Sequence, residues 1–236
     1  MPIPDHYLEL ESIYVATLAR GIRSLAVASA VPGEGVTSLI AALTHRNLHA
    51  GRSTLVVDFN LFRPGVQRHF GIGSALAQQG LLPAPATVQH DRSDARLAVL
   101  YPQPDRTALL HLREPGTIEQ LIEDWKKEFD TILVDTSPIN AINGANLPGE
   151  RAAAACDGSV LLVLSGRTTE TMAEATAKKL LAAGANLLGI VMNDREQPSL
   201  LTEMIREIDR LRPMLPAVAD WLQRKVLSTP LLRLEV

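Results

Sequence analysis

The stretch Ser29-Ala30-Val31-Pro32-Gly33-Glu34-Gly35-Val36-Thr37-Ser38 decides the fold of this chain. An apolar run over 24–28 precedes it and reads as a buried strand; a helical pattern over 39–48 follows it. Strand, glycine-rich turn and helix, in that order, is the setting in which a phosphate-binding loop works. Glycines let backbone N–H groups converge on an anion, and the helix N-terminus adds its partial positive charge. Such a loop needs Gly-Lys-Ser/Thr at its end, and here the sequence is Gly35-Val36-Thr37. The lysine is absent.

Working outward, apolar strand-like runs alternate with helical patterns, the signature of a parallel sheet with crossover helices. Strands are expected over 24–28, 53–57, 97–100, 131–134, 159–164 and 187–191, and helices over 8–20, 37–50, 117–127, 169–183 and 200–211. Several strands are rich in Val, Leu and Ile without alternation, as strands covered on both faces are. The predicted fold class is α/β, a doubly wound, mostly parallel sheet flanked by helices, in the manner of a P-loop NTPase. One domain is expected over 1–236: an N-terminal helix in 1–23, a core in 24–194 and a helical tail in 195–236. The segment 74–96, rich in Ala, Gln, Pro and Asp, reads as a surface excursion of limited order. In the tail, Leu200, Leu201, Met204, Ile205, Ile208 and Leu211 recur with helical spacing. That spacing suits a helix on the sheet, while the Trp221, Arg224, Lys225 and Arg233 region leaves a membrane surface or a partner groove open.

Composition narrows the function classes. A length of 236 residues with 46% hydrophobic content suffices for a sizeable core. The formal charge of −3 argues against nucleic acid as a partner. The lone Cys156 excludes an internal disulfide, and its alanine-rich surroundings place it as a small buried residue on a helix. No stretch approaches the ~20 apolar residues of a membrane span, and Met1-Pro-Ile-Pro-Asp5 lacks the basic and apolar parts of a signal peptide. A cytoplasmic protein is expected, peripheral at the inner membrane only through a partner.

Two further strands end in aspartate, within Val57-Asp58-Phe-Asn60-Leu-Phe-Arg63-Pro64 and Val134-Asp135-Thr136-Ser137-Pro138. In doubly wound sheets the ligand lies off the carboxyl ends of the strands. Asp58 and Asp135 would project there, beside Thr37. Two carboxylates and a hydroxyl next to a phosphate cradle are the donors Mg²⁺ takes. Either aspartate alone would be a strand-end cap or turn former; the pair behind a glycine turn favours the metal site Thr37, Asp58 and Asp135.

With these motifs in order, and with Asp157-Gly-x-Val-Leu-Leu-Val and Leu188-Gly-Ile-Val-Met-Asn193-Asp following, the region 8–194 resembles the cytoplasmic ATPase domain of bacterial tyrosine autokinases of capsule and exopolysaccharide synthesis. These belong with the MinD/ParA-type P-loop ATPases. Thr168 and Thr169 after Gly166-Arg167 match a recurring stretch of that family. The resemblance implies ATP or ADP with Mg²⁺ as ligands. Phosphates would lie on Pro32, Gly33, Glu34, Gly35, Val36, Thr37 and Ser38. Asn193 would contact the base, and Asp58 and Asp135 would be the catalytic acids of any remaining activity. It further implies, as partner, the cytoplasmic segment of a polysaccharide co-polymerase or chain-length membrane protein, with a homo-oligomer open.

Four departures from the pattern follow. Val36 stands where a lysine would reach the β- and γ-phosphates and neutralise charge developing in transfer. No lysine occurs in the first hundred residues, which leaves Arg52 and Arg63 as nearby substitutes. Asn60 stands where the family has a second aspartate, and an amide cannot act as a base. The only tyrosines are Tyr7, Tyr14 and Tyr101, so the family's C-terminal tyrosine cluster is missing. The segment Glu11-Ser-Ile-Tyr14-Val-Ala-Thr17 lacks both arginines of the family's Glu-x-x-Arg-x-x-Arg oligomerisation pattern. The expectation is a degenerate, non-catalytic or impaired regulator with weak nucleotide binding and no required cofactor. The alternatives are an active ATPase or tyrosine kinase with a non-standard loop, and a MinD/ParA-type positioning ATPase. Asn140, Asn143, Gly144, Asn146, Pro148 and Gly149, between Asp135 and Asp157, read as a mobile surface loop, either a plain connection or one that senses a partner or nucleotide.

Overall fold

The computed structural model describes residues 7–71, 86–88, 95–102, 105–141, 143–194, 200–213 and 215–227. The chain divides into two compact units, Met1–Asn193 and Asp194–Val236.

The first unit is built on seven strands: β1 (Ser24–Ser29), β2 (Thr54–Asp58), β3 (Ala86–Val88), β4 (Leu97–Leu100), β5 (Thr131–Asp135), β6 (Gly158–Leu164) and β7 (Leu187–Asn193), in the sheet order β3-β4-β2-β5-β1-β6-β7. All pairings are parallel except β3 with β4. Strands β1, β2, β4, β5 and β6 are buried along their whole length, which is why their sequences are near-continuous apolar runs.

These buried strands divide their side chains between two apolar layers. Leu25, Val27, Val56, Leu133 and Leu162 face helices α1 (Leu8–Ala16) and α2 (Val36–His49) through Leu10, Tyr14, Leu39, Ile40 and Leu43. Ala26, Ala28, Leu55, Ile132, Val134 and Leu161 share the other layer with Leu112, Ile118, Ile122, Ala152 and Leu180. Those residues come from α4 (Arg106–Leu112), α5 (Thr117–Trp125), α6 (Gly149–Ala154) and α7 (Glu170–Ala182). The doubly wound class is therefore present. Strand β1 lies between β5 and β6, so the chain crosses to both sides of it, and the crevice at its carboxyl end is where such folds bind ligands.

All six expected strands and the expected helices form, with local differences. The first helix stops at Ala16, and a 3₁₀ turn (Leu18–Arg20) follows, because Thr17 leaves helical geometry (φ −121°, ψ −90°) and its hydroxyl donates to the Ile13 carbonyl at 2.7 Å. Short helices α3 (Val66–His69) and α4 lie where no helix was expected, and α6 covers the start of the alanine-rich stretch read as helical but ends at Ala154, before Cys156. Helices of four to seven residues carry too few turns to print a period. Most of 74–96 lies outside the described residues; Ala86–Val88 within it pairs as the antiparallel edge strand. Cys156 is buried just past the end of α6, with its thiol donating to the Ala152 carbonyl.

In the second unit, α8 (Leu200–Leu211) and α9 (Pro216–Leu227) pack on each other through Ile208, Ala219 and Val226. Trp221 is exposed, with the Lys225 ammonium 5.0 Å from its ring centre. The end of the tail, 228–236, lies outside the described residues. Among the described residues, no helix is long and apolar enough to cross a membrane.

Candidate functional site

The loop after β1 takes its shape from two glycines. Gly33 (φ +87°) and Gly35 (φ +103°) occupy the region that side chains with a Cβ avoid. Helix α2 starts at Val36 with Gly35 as N-cap and no side-chain cap bond, so its first-turn N–H groups are free of side-chain caps. Thr37 and Ser38 lie in that first turn, half-buried. Pro32 and Gly33 form the exposed lip.

Glu34 does not face solvent. Its side chain is buried, accepts the Val31 N–H at 3.0 Å, and accepts the hydroxyl of Thr168. Thr168 in turn accepts the Leu164 N–H at 3.0 Å, and the Asn193 amide donates to the Glu34 carbonyl at 2.8 Å. The carboxyl ends of β6 and β7 thus hold the loop in place. Asn193 lies so close that a Cβ on Gly35 would stand 2.6 Å from its Nδ2. The Val36 side chain is buried in the apolar cluster that contains Leu39, Val66 and Leu162.

The acidic side of the site forms where β2 and β5 end in register, with Asp58 opposite Asp135. Both are almost fully buried. Asp58 accepts N–H bonds from Asn60 (3.0 Å), Gly65 (2.8 Å) and Val66 (3.0 Å), so it organises the turn into α3 as a strand-end cap does. Burial nevertheless outweighs those bonds and pushes its carboxyl up to about 6. Asp135 accepts the Thr37 hydroxyl at 2.6 Å; burial, then the neighbouring Asp58 charge, push it well above the usual carboxylate range. Among the described residues no cation pairs with either aspartate. Nor do three or more His, Cys, Asp or Glu residues gather there as a metal cluster. Thr37, Asp58 and Asp135 are hard oxygen donors that fit Mg²⁺, but too few to hold it alone; phosphate oxygens and water would complete the shell. Because both Asp58 oxygens already accept N–H bonds, Asp135 and Thr37 are the freer donors.

Asn60 lies beside this pair, its Oδ1 3.4 Å from the Asn146 Nδ2, and Asn146 accepts the Phe62 N–H at 3.1 Å. A cavity of about 220 Å³ opens here, lined by Pro32, Asn60, Arg63, Pro138, Asn143 and Asn146. The segment after β5 is therefore not simply a surface loop: Asn146, Leu147 and Gly149 are buried, and the Arg113 guanidinium donates to the Gly144 carbonyl at 2.8 Å. The side-chain amides read as mobile polarity are used for tertiary contacts.

Of the arginines considered as substitutes for the lysine, Arg52 donates to the Leu18 carbonyl at 3.0 Å, before β1 and so at the opposite end of the sheet. Arg63 lines the cavity, 5.7 Å from the Phe62 ring centre. Sequence proximity missed one cation that stands against the loop. Arg167 sits on the turn after β6, and a Cβ on Gly33 would stand 3.2 Å from its Nη1. Gly65 was missed as well; a Cβ there would meet the Thr37 hydroxyl at 2.7 Å. Both gain meaning only from strand order, which brings segments distant in sequence to one sheet end.

No protein-family model matches the chain. Curated relatives do. The tyrosine-protein kinase YwqD of Bacillus subtilis is 28% identical over 196 residues, covering 78% of each chain. The tyrosine-protein kinase CpsD of Streptococcus pneumoniae is 26% identical over 181 residues, covering 73% of this chain and 76% of its own. The succinoglycan biosynthesis transport protein ExoP of Rhizobium meliloti is 23% identical over 184 residues, covering 75% of this chain but 23% of its own. The chain is similar to bacterial tyrosine-protein kinases. Solved structures agree on the fold. The kinase domain of the Escherichia coli tyrosine kinase ETK matches with TM-score 0.62 at 20% identity, covering 78% of this chain and 71% of its own. Pyrococcus horikoshii MinD, complexed with Mg-ADP, matches with TM-score 0.57 at 20% identity over 75% and 72%. In this tyrosine-autokinase-like chain the loop, both strand-end aspartates and the Thr37 hydroxyl are all present, and the lysine position is filled by an inward-facing valine.

Proposed function

We propose that this protein is a degenerate member of the tyrosine-autokinase-like group. It holds the phosphates of ATP or ADP weakly, transfers them poorly or not at all, and acts by binding a partner in exopolysaccharide or capsule synthesis. The observation that carries this reading is the burial of Val36 among Leu39, Val66 and Leu162. A lysine there would extend toward the β- and γ-phosphates, whereas valine belongs to the packed layer and supplies no charge during transfer. The backbone cradle does not depend on that side chain, so binding outlasts chemistry.

Further features support the reading. The amide of Asn60, standing beside that of Asn146, accepts no proton as a base would. Tyr14 and Tyr101 are buried and only Tyr7 is exposed, which leaves little tyrosine surface for phosphorylation. Glu11, the acid of the oligomerisation pattern, pairs within its own chain with Arg46, whose guanidinium stacks 4.2 Å from the Tyr14 ring centre. In the transport protein ExoP the matched region is under a quarter of the protein, so further segments accompany it there. The partner proposed here is such a segment, the cytoplasmic part of a chain-length or co-polymerase membrane protein, which would bring this chain to the inner membrane. Mg²⁺ would sit on Thr37 and Asp135, with Asp58 behind them, and compensate their uncancelled negative charge.

Substituting Val36→Lys and measuring ATP and ADP binding by calorimetry, with and without Mg²⁺, tests the reading. Tighter binding in the variant is the expected result. Micromolar binding by the unmodified protein, with hydrolysis that Asp135→Ala abolishes, would overturn it.

A further inference from the structure

The charge missing from position 36 has a spatial counterpart. We propose that Arg167 is the cation of this phosphate site, its guanidinium closing on the outer phosphates of a nucleoside di- or triphosphate seated over Gly33 to Thr37. The proposal rests on the reading that the loop holds a nucleotide, and it names the group that makes weak binding possible without the lysine.

Three observations converge. The first is position: Arg167 Nη1 lies 3.2 Å from where a Cβ of Gly33 would be, so the guanidinium stands against the lip of the loop. Any side chain at residue 33 would push it away. The second is anchoring. Gly166 (φ +74°) turns the chain after β6, the Arg167 N–H closes that turn on the Leu164 carbonyl at 3.1 Å, and the adjacent Thr168 hydroxyl is bonded to the buried Glu34 carboxylate. The backbone of Arg167 is thereby fixed to the phosphate loop itself, though 134 residues separate Glu34 from Thr168.

The third observation is the absence of a counter-charge. Among the described residues no carboxylate pairs with the exposed Arg167 side chain. Its surroundings are the wrong kind for a cation to settle against by itself. A guanidinium offers only donors, and the cradle beside it is made of backbone N–H donors and a positive helix end. Donors facing donors gain nothing from each other; an anion between them satisfies both. Arginine also presents a planar fork that matches phosphate oxygens two at a time. Arg52 is bonded at the other end of the sheet, and Arg63 is turned to the Phe62 ring, so Arg167 is the arginine whose placement fits the role.

Calorimetric titration of ADP and ATP into the full chain tests this, using Arg167→Ala, Arg167→Lys and Arg167→Ala combined with Val36→Lys, each also melted without nucleotide. The unmodified protein should bind, and Arg167→Ala should weaken binding about tenfold or more, as loss of a charged hydrogen-bond donor does. It should flatten the salt dependence and leave the nucleotide-free melting temperature in place. Arg167→Lys should keep part of the affinity, and adding Val36→Lys to Arg167→Ala should restore it. Binding by the unmodified protein that Arg167→Ala leaves unchanged would overturn the proposal and leave nucleotide binding standing. Loss of binding together with a lower melting temperature and no rescue by lysine would overturn it in favour of a structural role. No binding of either nucleotide by the unmodified protein at millimolar concentration would overturn both readings.

Discussion

The two flanks of the phosphate loop differ in sign. On the β2–β5 side, Asp58 and Asp135 are buried, adjacent in register and without a cation among the described residues. On the β6–β7 side, Arg167 stands exposed against Gly33 without an anion among the described residues, while Glu34, Thr168 and Asn193 tie the loop to the strand ends. An intact loop brings a cation and the acids together through its own lysine. Here the charges lie on opposite sides of the cradle. The difference teaches that loss of one side chain need not erase a site: a ligand with both a metal and phosphates would join the two halves that the chain leaves separate.

The comparison can be broken most severely at Gly35, which serves both flanks. Gly35→Ala forces a Cβ into φ +103° and to within 2.6 Å of the Asn193 amide. A stability loss of about 1–3 kcal/mol is expected from the backbone strain, read from a denaturant midpoint, together with complete loss of nucleotide binding.

The acidic flank is isolated by Asp135→Asn, which keeps an acceptor for Thr37 but removes the buried charge. Both aspartates have carboxyls raised by burial, so the folded state binds more protons than the unfolded state once pH exceeds the ordinary carboxylate value near 3.8. Stability therefore falls as pH rises from about 4 through 6, by about 1.4 kcal/mol for each pH unit in which one such proton is retained. Asp135→Asn should flatten that slope and raise the melting temperature at pH 7.5 in metal-free buffer. An unchanged slope would mean that the pair is neutralised by a group not seen here.

A milder probe is metal removal. Nucleotide with Mg²⁺ should raise the melting temperature further than nucleotide with a chelator, because the metal compensates charge that the phosphates would otherwise worsen. The smallest effect is expected from Thr168→Val, which leaves the Leu164 N–H and one Glu34 oxygen unpaired. About 1 kcal/mol should be lost, with a modest weakening of nucleotide binding through displacement of Arg167.

Much of this was legible in the sequence, for identifiable reasons. Buried parallel strands write themselves as unbroken apolar runs, so β1, β2, β4, β5 and β6 were each visible, and with them the common end that gathers Asp58 and Asp135; β7 was visible as an apolar run although most of its side chains are exposed. The absence of the lysine was visible as a residue identity; where Val36 went instead was not, because its fate depends on Val66 and Leu162 from other segments. Arg167 was hidden for a related reason. A substitute cation was sought near the loop in sequence, but β6 lies beside β1 only in the folded sheet. Asn146 and Gly149 resembled loop formers because Asn and Gly favour turns, and their burial comes from contacts with Phe62 and the chain after β5 that no local pattern records.

The central claim is that this loop keeps a ligand and has lost its chemistry. The direct measurement is simultaneous: calorimetric binding of Mg-ATP to the full chain, with phosphate release and tyrosine phosphorylation followed in the same sample. Binding, with product formation no faster than in the Asp135→Ala variant, is the result predicted. Steady release of phosphate, or phosphotyrosine on the protein, that disappears in Asp135→Ala would contradict the account.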